Sequence, residues 1–202
     1  MQKQIKIPLP TLKRYSKYLM VLESISDTWV STTLLNLYTD SLPITIRKDL
    51  AYLSIKGTPQ KGYPRVKLIK KIEKIIRGET TRDLILIGSW GLGDIILKQP
   101  KIYLKEYNLR VCFDYVDNKI DGLIPIYPME RLKDLIPRLG IKTAIFSINS
   151  DKSDKVLSIL KETGIKGIIN INQSIISVDD SVKIINYSLI NSVHELIGHI
   201  ES

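Results

Sequence analysis

Hydrophobic residues recur every three to four positions in the first part of the chain, and this spacing predicts amphipathic helices. Ser31 or Thr32 suits the cap of a short second helix, and Pro43 suits the first turn of the third. Gly78 is placed to end the fourth. The four predicted helices cover residues 11–26, 30–40, 43–53 and 66–77.

The stretch between the third and fourth helices, "SIKGTPQKGYPRV" (54–66), holds two glycines and two prolines between short extended pieces. This composition predicts a β-hairpin, or wing. Three helices, the last two joined by a tight turn, followed by a basic hairpin form the pattern of a winged helix-turn-helix domain.

The third helix has two different sides on a helical wheel. Ile46, Leu50 and Leu53 fall together and are expected to face the core. The other side is basic and suits the major groove of DNA, where Arg or Lys donates hydrogen bonds to guanine. Basic residues that flank the wing are candidates for phosphate or minor-groove contacts. The predicted DNA-binding residues are Thr45, Arg47, Lys48, Tyr52, Lys56, Lys61 and Arg65.

Basic residues are concentrated in this same part of the chain. Residues 1–80 hold 15 Lys/Arg and 6 Asp/Glu, and residues 81–202 hold 15 of each. The whole net charge of +9 therefore belongs to the first 80 residues. A basic domain beside a neutral one indicates a polyanion-binding module joined to a second function. The alternative is that this charge segregation arose by chance in a lysine-rich proteome and that the basic side of the third helix is an ordinary solvated face.

From residue 83 onwards, short apolar runs alternate with helical patterns. Near-continuous apolar strands separated by helices predict an α/β domain with a parallel sheet covered on both faces. The predicted strands are 84–88, 109–114, 142–148, 165–172 and 182–188. The predicted helices are 92–106, 128–139, 151–164 and 189–200.

The passage "LILIGSWGLGDIIL" (84–97) has the layout of a dinucleotide-binding turn, G-x-G-x-x-G. Gly88 and Gly93 occupy the first and third glycine positions, and Trp90 stands at the middle one. Its side chain would either fill the pyrophosphate space or swing aside, and Gly91 could shift the turn by one residue. Asp114 ends the next strand, where an acid bonds the adenosine ribose. The candidate cofactor-binding residues are Gly88, Trp90, Gly91, Gly93 and Asp114.

Taken together, these segments resemble the Rex family of bacterial redox-sensing transcriptional repressors, and the resemblance covers nearly the whole chain. The segments that carry it are "IPLPTLKRYSKYL" (7–19), "RKDL" (47–50) four residues after Pro43, "KGY" (61–63), the strand–glycine–helix passage, "FD" (113–114) and "TGIKGIIN" (163–170).

The resemblance implies a homodimer that binds palindromic operator DNA through its winged helices. It implies NAD(H) as cofactor, with a Rossmann-like domain that senses NADH against NAD+, and a C-terminal helix that is swapped between subunits. The implied division is a winged-helix domain over 1–80, a Rossmann-like domain over 81–187 and a dimerisation helix over 188–202. A ligand would act by favouring a dimer arrangement that mismatches the half-site spacing.

Several positions depart from the family pattern. Trp90 stands where the close-approach glycine is expected, and Gln99 stands where the family commonly has tyrosine. "SINSD" (147–151) and "NINQ" (170–173) replace two turns that lie near the nicotinamide end in family members, and "TPQ" (58–60) replaces a basic wing tip. The second domain is therefore either an NADH/NAD+ sensor or a ligand-free dimerisation scaffold.

The remaining features narrow the function class. The single cysteine, Cys112, excludes an internal disulfide or a cysteine metal cluster. No apolar run approaches the roughly 18–20 residues of a membrane helix, and the first ten residues lack an apolar signal core, so a cytoplasmic protein without membrane contact is expected. No catalytic set or metal-ligand pattern is present, and an enzyme is not expected.

Two alternatives from other classes stay open. One is a small nucleotide- or coenzyme-A-binding enzyme domain with a basic appendage, which would need a general acid or base beside the cofactor. The other is a scaffold whose winged helix binds a protein partner.

Overall fold

The computed structural model describes residues 7–39, 41–77, 83–105, 107–115, 119–121 (backbone only), 124–148, 152–177, 179 and 181–201. Backbone contacts divide the chain into two compact units, Met1–Thr80 and Thr81–Ser202. Within the described ranges, none of the helices combines the length and the apolar character that a bilayer crossing requires.

The first unit is built on four helices, α1 (Leu9–Ser24), α2 (Thr32–Thr39), α3 (Pro43–Ala51) and α4 (Arg65–Ile76). Ser31 caps α2, because its hydroxyl accepts a hydrogen bond from the Leu34 amide at 3.0 Å. Ile46, Leu50 and Leu53 are buried, which confirms the predicted inner side of α3. Gly78, the predicted end of α4, lies outside the described residues. The fully buried side chains around these helices include Tyr15, Tyr18, Leu22, Leu35, Leu68 and Ile72.

The predicted wing is present, and Thr58 and Gly62 form an antiparallel bridge within it. Thr58 and Gly62 exchange backbone hydrogen bonds of 2.7 and 2.9 Å, which close the tight turn of the wing. The strand after this turn, β2 (Tyr63–Pro64), pairs antiparallel with β1 (Trp29–Val30), which lies far upstream in the chain. Gly62 permits this approach: at φ +87° a Cβ atom on it would lie 2.3 Å from the Val30 carbonyl oxygen.

The second unit contains a seven-stranded sheet with the order β5-β6-β4-β3-β7-β8-β9. All neighbouring strands are parallel except β5 and β6. Counted along the chain, the six parallel strands have the order 3-2-1-4-5-6, which is the order of a Rossmann fold. The strands are β3 (Asp83–Ile87), β4 (Asn108–Asp114), β5 (Lys119–Asp121), β6 (Ile124–Pro128), β7 (Thr143–Phe146), β8 (Gly167–Asn170) and β9 (Lys183–Asn186).

Helices cover both faces of this sheet, as predicted. Leu132, Ile136 and Val156, from α7 and α8, pack against one face, while Leu97 and Leu104, from α5 and α6, pack against the other. A short 3-10 helix, Met129–Arg131, leads into α7. The helices are α5 (Leu92–Lys98), α6 (Pro100–Leu104), α7 (Leu132–Leu139), α8 (Ser153–Glu162) and α9 (Leu189–Glu201).

Two details of the predicted α/β pattern are wrong. The helix expected to run unbroken to Glu106 is interrupted at Gln99, because Pro100 has no amide hydrogen and disfavours helical backbone before it; Glu106 itself lies outside the described residues. Strands β5 and β6 were not predicted at all. Pro125 and Pro128 obscure the strand pattern of β6, which is stabilised by parallel pairing with β4.

Helix α9 has no buried residue, although all thirteen of its residues are described. Its apolar side chains stay between 40% and 73% exposed in the single chain. These side chains belong to Leu189, Ile190, Val193, Leu196, Ile197 and Ile200.

Candidate functional site

The exposed side of helix α3 is a basic surface. Arg47, Lys48 and Tyr52 are exposed, and Thr45 is half-buried at the rim. Because Ile46 and Leu50 are fully buried on the opposite side, the helix presents these side chains from a fixed face. The structure therefore places three of the predicted DNA-binding residues on α3 and a fourth, Tyr52, directly after it.

Asp49, which sequence reasoning missed, anchors α3 to α1. Its carboxylate is only 2% exposed and accepts hydrogen bonds from Thr11 at 3.0 Å, from Tyr18 at 2.8 Å and from two nitrogens of Arg14 at 2.6 and 2.8 Å. The Tyr15 hydroxyl donates to the Asp49 backbone carbonyl at 2.7 Å. Burial alone would raise the pKa of Asp49, but hydrogen bonds from Arg14, Tyr18 and Thr11 outweigh it and lower the pKa.

The predicted basic residues around the wing fall into two groups. Lys56 and Lys61 are exposed, and the Lys61 ammonium lies 6.0 Å from the centre of the Trp29 ring. Arg65 is different, because its guanidinium turns towards α1 and donates a hydrogen bond of 2.8 Å to the Leu22 carbonyl. That bond ties the start of α4 to the end of α1.

The glycine-rich turn between β3 and α5 is closely packed against the chain after β7. A Cβ atom on Gly88, whose φ is +84°, would lie 2.2 Å from the Ser147 carbonyl oxygen. On Gly93 it would lie 2.7 Å from the Ser147 Cβ and 2.8 Å from the Gly88 carbonyl oxygen. Both positions therefore require glycine, as the first and third positions of a dinucleotide-binding turn do.

Trp90 stands at the apex of this turn with its side chain directed outwards, 57% exposed. Its backbone carbonyl accepts a hydrogen bond of 2.6 Å from the Ser147 hydroxyl, which fixes the apex against the end of β7. Gly91 follows with φ +56° and ψ −119°, a conformation that favours glycine, and begins α5.

Asp114 lies beside the turn at the end of β4. One carboxylate oxygen accepts hydrogen bonds from the Ser89 amide at 3.0 Å and from the Ser89 hydroxyl. The other carboxylate oxygen accepts a hydrogen bond of 2.7 Å from the Tyr115 amide. Sequence reasoning missed Ser89, although a small polar residue inside the glycine-rich turn was visible.

A cavity of about 440 Å³ opens between the turn and Asp114. The Lys152 ammonium closes one side, 4.0 Å from the centre of the Tyr115 ring. Burial, and after it the negative charges of Glu130 and Asp114, raise the pKa of Tyr115. The cavity is lined by Gly88, Ser89, Trp90, Asp114, Tyr115, Ser147, Ile148 and Lys152.

A second cavity of about 470 Å³ lies on the other side of Trp90, between the turn and the start of α9. Trp90 and Ser147 line both cavities. Asn172 and Gln173 of "NINQ" contribute to the second, whereas residues 149–151 of "SINSD" lie outside the described residues, and Gln99 is exposed beyond α5. An elongated ligand could span both cavities across the glycine-rich turn.

The remaining candidate groups do not form a site. Cys112 is fully buried in β4, as expected of a small apolar residue. Both His194 and His199 lie on the exposed helix α9. In the described ranges no three His, Cys, Asp or Glu residues are grouped closely enough to hold a metal ion.

Curated proteins similar to this chain share one description. The redox-sensing transcriptional repressor Rex of Levilactobacillus brevis is 32% identical over 204 residues, which cover 97% of this chain and 95% of that protein. The protein of the same name from Lactiplantibacillus plantarum is 31% identical over 206 residues, covering 98% and 91%. No protein-family model matches the chain.

Solved structures share the whole fold. The crystal structure of RSP, a Rex-family repressor, superposes with a TM-score of 0.84 at 24% identity and covers 98% of this chain and 96% of RSP. RSP in complex with β-NAD+ and operator DNA gives a TM-score of 0.82 at 24% identity, with coverage of 96% and 93%. RSP in complex with β-NADH gives a TM-score of 0.79 at 25% identity and covers 98% of this chain and 95% of RSP.

Proposed function

Because the chain belongs to the Rex family of redox-sensing transcriptional repressors, we propose that it is a DNA-binding regulator that responds to NADH and NAD+. Its relatives are repressors, so we assign it a regulatory role in the cytoplasm and no catalytic reaction. The proposed domains are 1–80 for DNA, 81–187 for the dinucleotide and 188–202 for dimerisation.

The basic face of α3 is the observation that supports DNA binding. Arg47 and Lys48 are exposed. The next residue, Asp49, is buried, and its carboxylate holds the helix in place by accepting four side-chain hydrogen bonds. Arg47 and Lys48 would contact base edges or phosphates in the major groove. The proposed interface also includes Thr45, Tyr52, Lys56 and Lys61, with Arg65 positioning the wing through its bond to Leu22.

The residues around the glycine-rich turn fit a dinucleotide. Gly88 and Gly93 make the tight turn that lets backbone approach a pyrophosphate, and the exposed side chain of Trp90 lines the cavity beside it. Asp114 would hold the adenosine ribose hydroxyls, and Gly91 would supply backbone amide contact. When bound, NAD(H) supplies the redox state that the regulator reads.

The exposed apolar side of α9 supports a homodimer. An amphipathic helix whose apolar stripe stays uncovered needs a partner, and the exchange of this helix between two copies of the chain covers both stripes. In this dimer, the ligand would select the arrangement whose winged helices mismatch the half-site spacing of the palindrome.

One titration tests the cofactor and the DNA together. A palindromic duplex selected from random sequence is bound to the Trp29→Phe protein, so that Trp90 is the tryptophan that reports the site. NADH is expected to change Trp90 fluorescence and release the duplex, and NAD+ to do so far less. If the protein binds the duplex normally but neither NADH nor NAD+ changes this binding, the second domain is a ligand-free dimerisation scaffold and not a sensor. The Arg47→Ala protein is expected to stay dimeric and lose preference for the selected sequence.

A further inference from the structure

A groove of about 480 Å³ in the first unit lies between the segment that follows α3 and the first turns of α4. Ile55 and Pro64 line it with apolar surface. Ser54 and four lysines complete its wall: Lys56 comes from the segment before the wing, and Lys67, Lys70 and Lys71 come from α4. All four lysines are exposed.

The positive charge of this groove is not balanced nearby. Among the ion pairs of the described residues, none involves Lys56, Lys67, Lys70 or Lys71. The acid on α4, Glu73, is paired instead with Arg77, the residue that follows the helix. Within the described part of this unit, the lysine wall therefore faces solvent without a carboxylate partner.

The spacing of the three helical lysines makes this arrangement unfavourable by itself. Lys67 is three residues from Lys70 and four from Lys71, so their side chains are neighbours on the helix surface, where like charges repel. A bound polyanion removes that repulsion. Lysine ammoniums are flexible point charges that neutralise phosphates and do not read bases.

We propose that this lysine groove holds backbone phosphates of the DNA that flanks the bases contacted by α3. The assignment rests on the proposed function, and Lys56 provides the link because it belongs to both the proposed interface and the groove. The groove extends the contact with DNA without adding sequence preference. It therefore raises affinity for specific and unspecific duplexes by the same factor.

The test compares the Lys70→Gln/Lys71→Gln protein with Lys13→Gln/Lys17→Gln. The control removes the same charge from exposed positions on α1, outside the groove. Affinities for the selected palindrome and a scrambled duplex are measured across a series of KCl concentrations, with thermal melting to show that both proteins are folded. The dependence of log K on log salt is expected to become shallower by about 2 per chain in the groove variant, because each phosphate that a lysine neutralises contributes about 0.9 to the slope.

Both duplexes are expected to lose affinity equally in the groove variant, and the control is expected to keep the slope of the parent protein. A groove variant with the control's slope overturns the proposal. So does a variant that loses binding of inorganic tripolyphosphate while its DNA slope is unchanged, because the groove is then a site for free anions. A parent protein that binds no duplex contradicts the proposed function as well, which separates the two failures.

Discussion

Arg14 on α1 and Asp49 on α3 form a two-point ion pair, with Arg14 Nε 2.6 Å from Asp49 Oδ2 and Arg14 Nη2 2.8 Å from Oδ1. The hydroxyls of Thr11 and Tyr18 complete the set of donors around the same carboxylate. Because Arg47 and Lys48 precede Asp49 directly, this pair fixes the helix that presents them. The charge that anchors the helix is thus adjacent to the charges proposed to contact DNA.

Asp49→Ala is expected to destabilise the first unit by about 3 kcal/mol, because it removes one partner of a buried ion pair and leaves Arg14 without its acceptor. The free energy of unfolding is measured in urea with Trp29 fluorescence as the signal, in a Trp90→Phe background, because Trp29 belongs to the first unit. Lys48→Ala is the control: this neighbour is exposed, and a change within about 0.5 kcal/mol is expected. Equal losses in the two proteins would contradict the anchoring role.

The same carboxylate predicts how the first unit responds to acid. The pKa of Asp49 is lower in the folded protein than in the unfolded chain, where it is about 3.9, so the unfolded chain takes up the proton more readily. Its stabilisation is fully present above the unfolded value and is lost as pH falls through the folded value. The difference in urea midpoint between the parent and Asp49→Asn proteins is therefore expected to shrink from pH 5 downwards. A difference that stays constant into strong acid contradicts this.

Gly93→Ala tests how closely the turn packs on β7. The new Cβ would lie 2.7 Å from the Ser147 Cβ and 2.8 Å from the Gly88 carbonyl oxygen, so the turn must move, and a loss of about 2 kcal/mol is expected for the second unit. Gly167→Ala is the control, because the nearest atom to its Cβ is 3.9 Å away. Unfolding followed by Trp90 fluorescence in a Trp29→Phe background measures both. Similar midpoints for the two variants would count against a sterically required glycine.

Asp114→Ala tests the proposed ribose contact. Loss of hydrogen bonds to a charged acceptor is expected to weaken NADH binding about tenfold or more. Ser89→Ala is the control. It removes the hydroxyl that Ser89 donates to Asp114, and so disturbs the order of the turn, but it keeps the Asp114 carboxylate for the ribose. The serine variant is expected to bind NADH more tightly than the aspartate variant in a calorimetric titration. If both variants lose affinity equally, Asp114 orders the turn and the ribose contact is not supported.

The fold followed from the sequence wherever a local pattern determined it. The inner side of α3 shows in the spacing of Ile46, Leu50 and Leu53, and strand β3 shows as an uninterrupted apolar run. Strand β6 could not be found this way, since two prolines break its pattern and its pairing partner, β4, is set by the sheet. The helix break before Pro100 was visible in the sequence and was missed.

The candidate residues of the site could be named from the sequence, and their roles stay predictions; their geometry could not be predicted. The glycine spacing identified Gly88 and Gly93 as candidates, yet the position of the Trp90 backbone depends on a hydrogen bond from Ser147, a residue 57 positions away. Asp49 was missed for the same reason, because Arg14 lies 35 positions upstream. Interactions of this kind belong to tertiary packing, which hydrophobic periodicity does not record.

Leu196→Glu tests the proposed dimer helix. Leu196 is 60% exposed in the single chain and belongs to the apolar stripe of α9, so a carboxylate there would be buried without a partner once a second copy covers the helix. Light scattering is expected to show a dimer for the parent protein and a monomer for Leu196→Glu, with loss of binding to a two-half-site palindrome and retention of weak binding to a single half-site. Glu195→Ala, an exposed polar neighbour on the same helix, is expected to remain dimeric. A Leu196→Glu protein that stays dimeric would place the subunit interface elsewhere, because a stripe packed against its counterpart cannot accept a charge at this position.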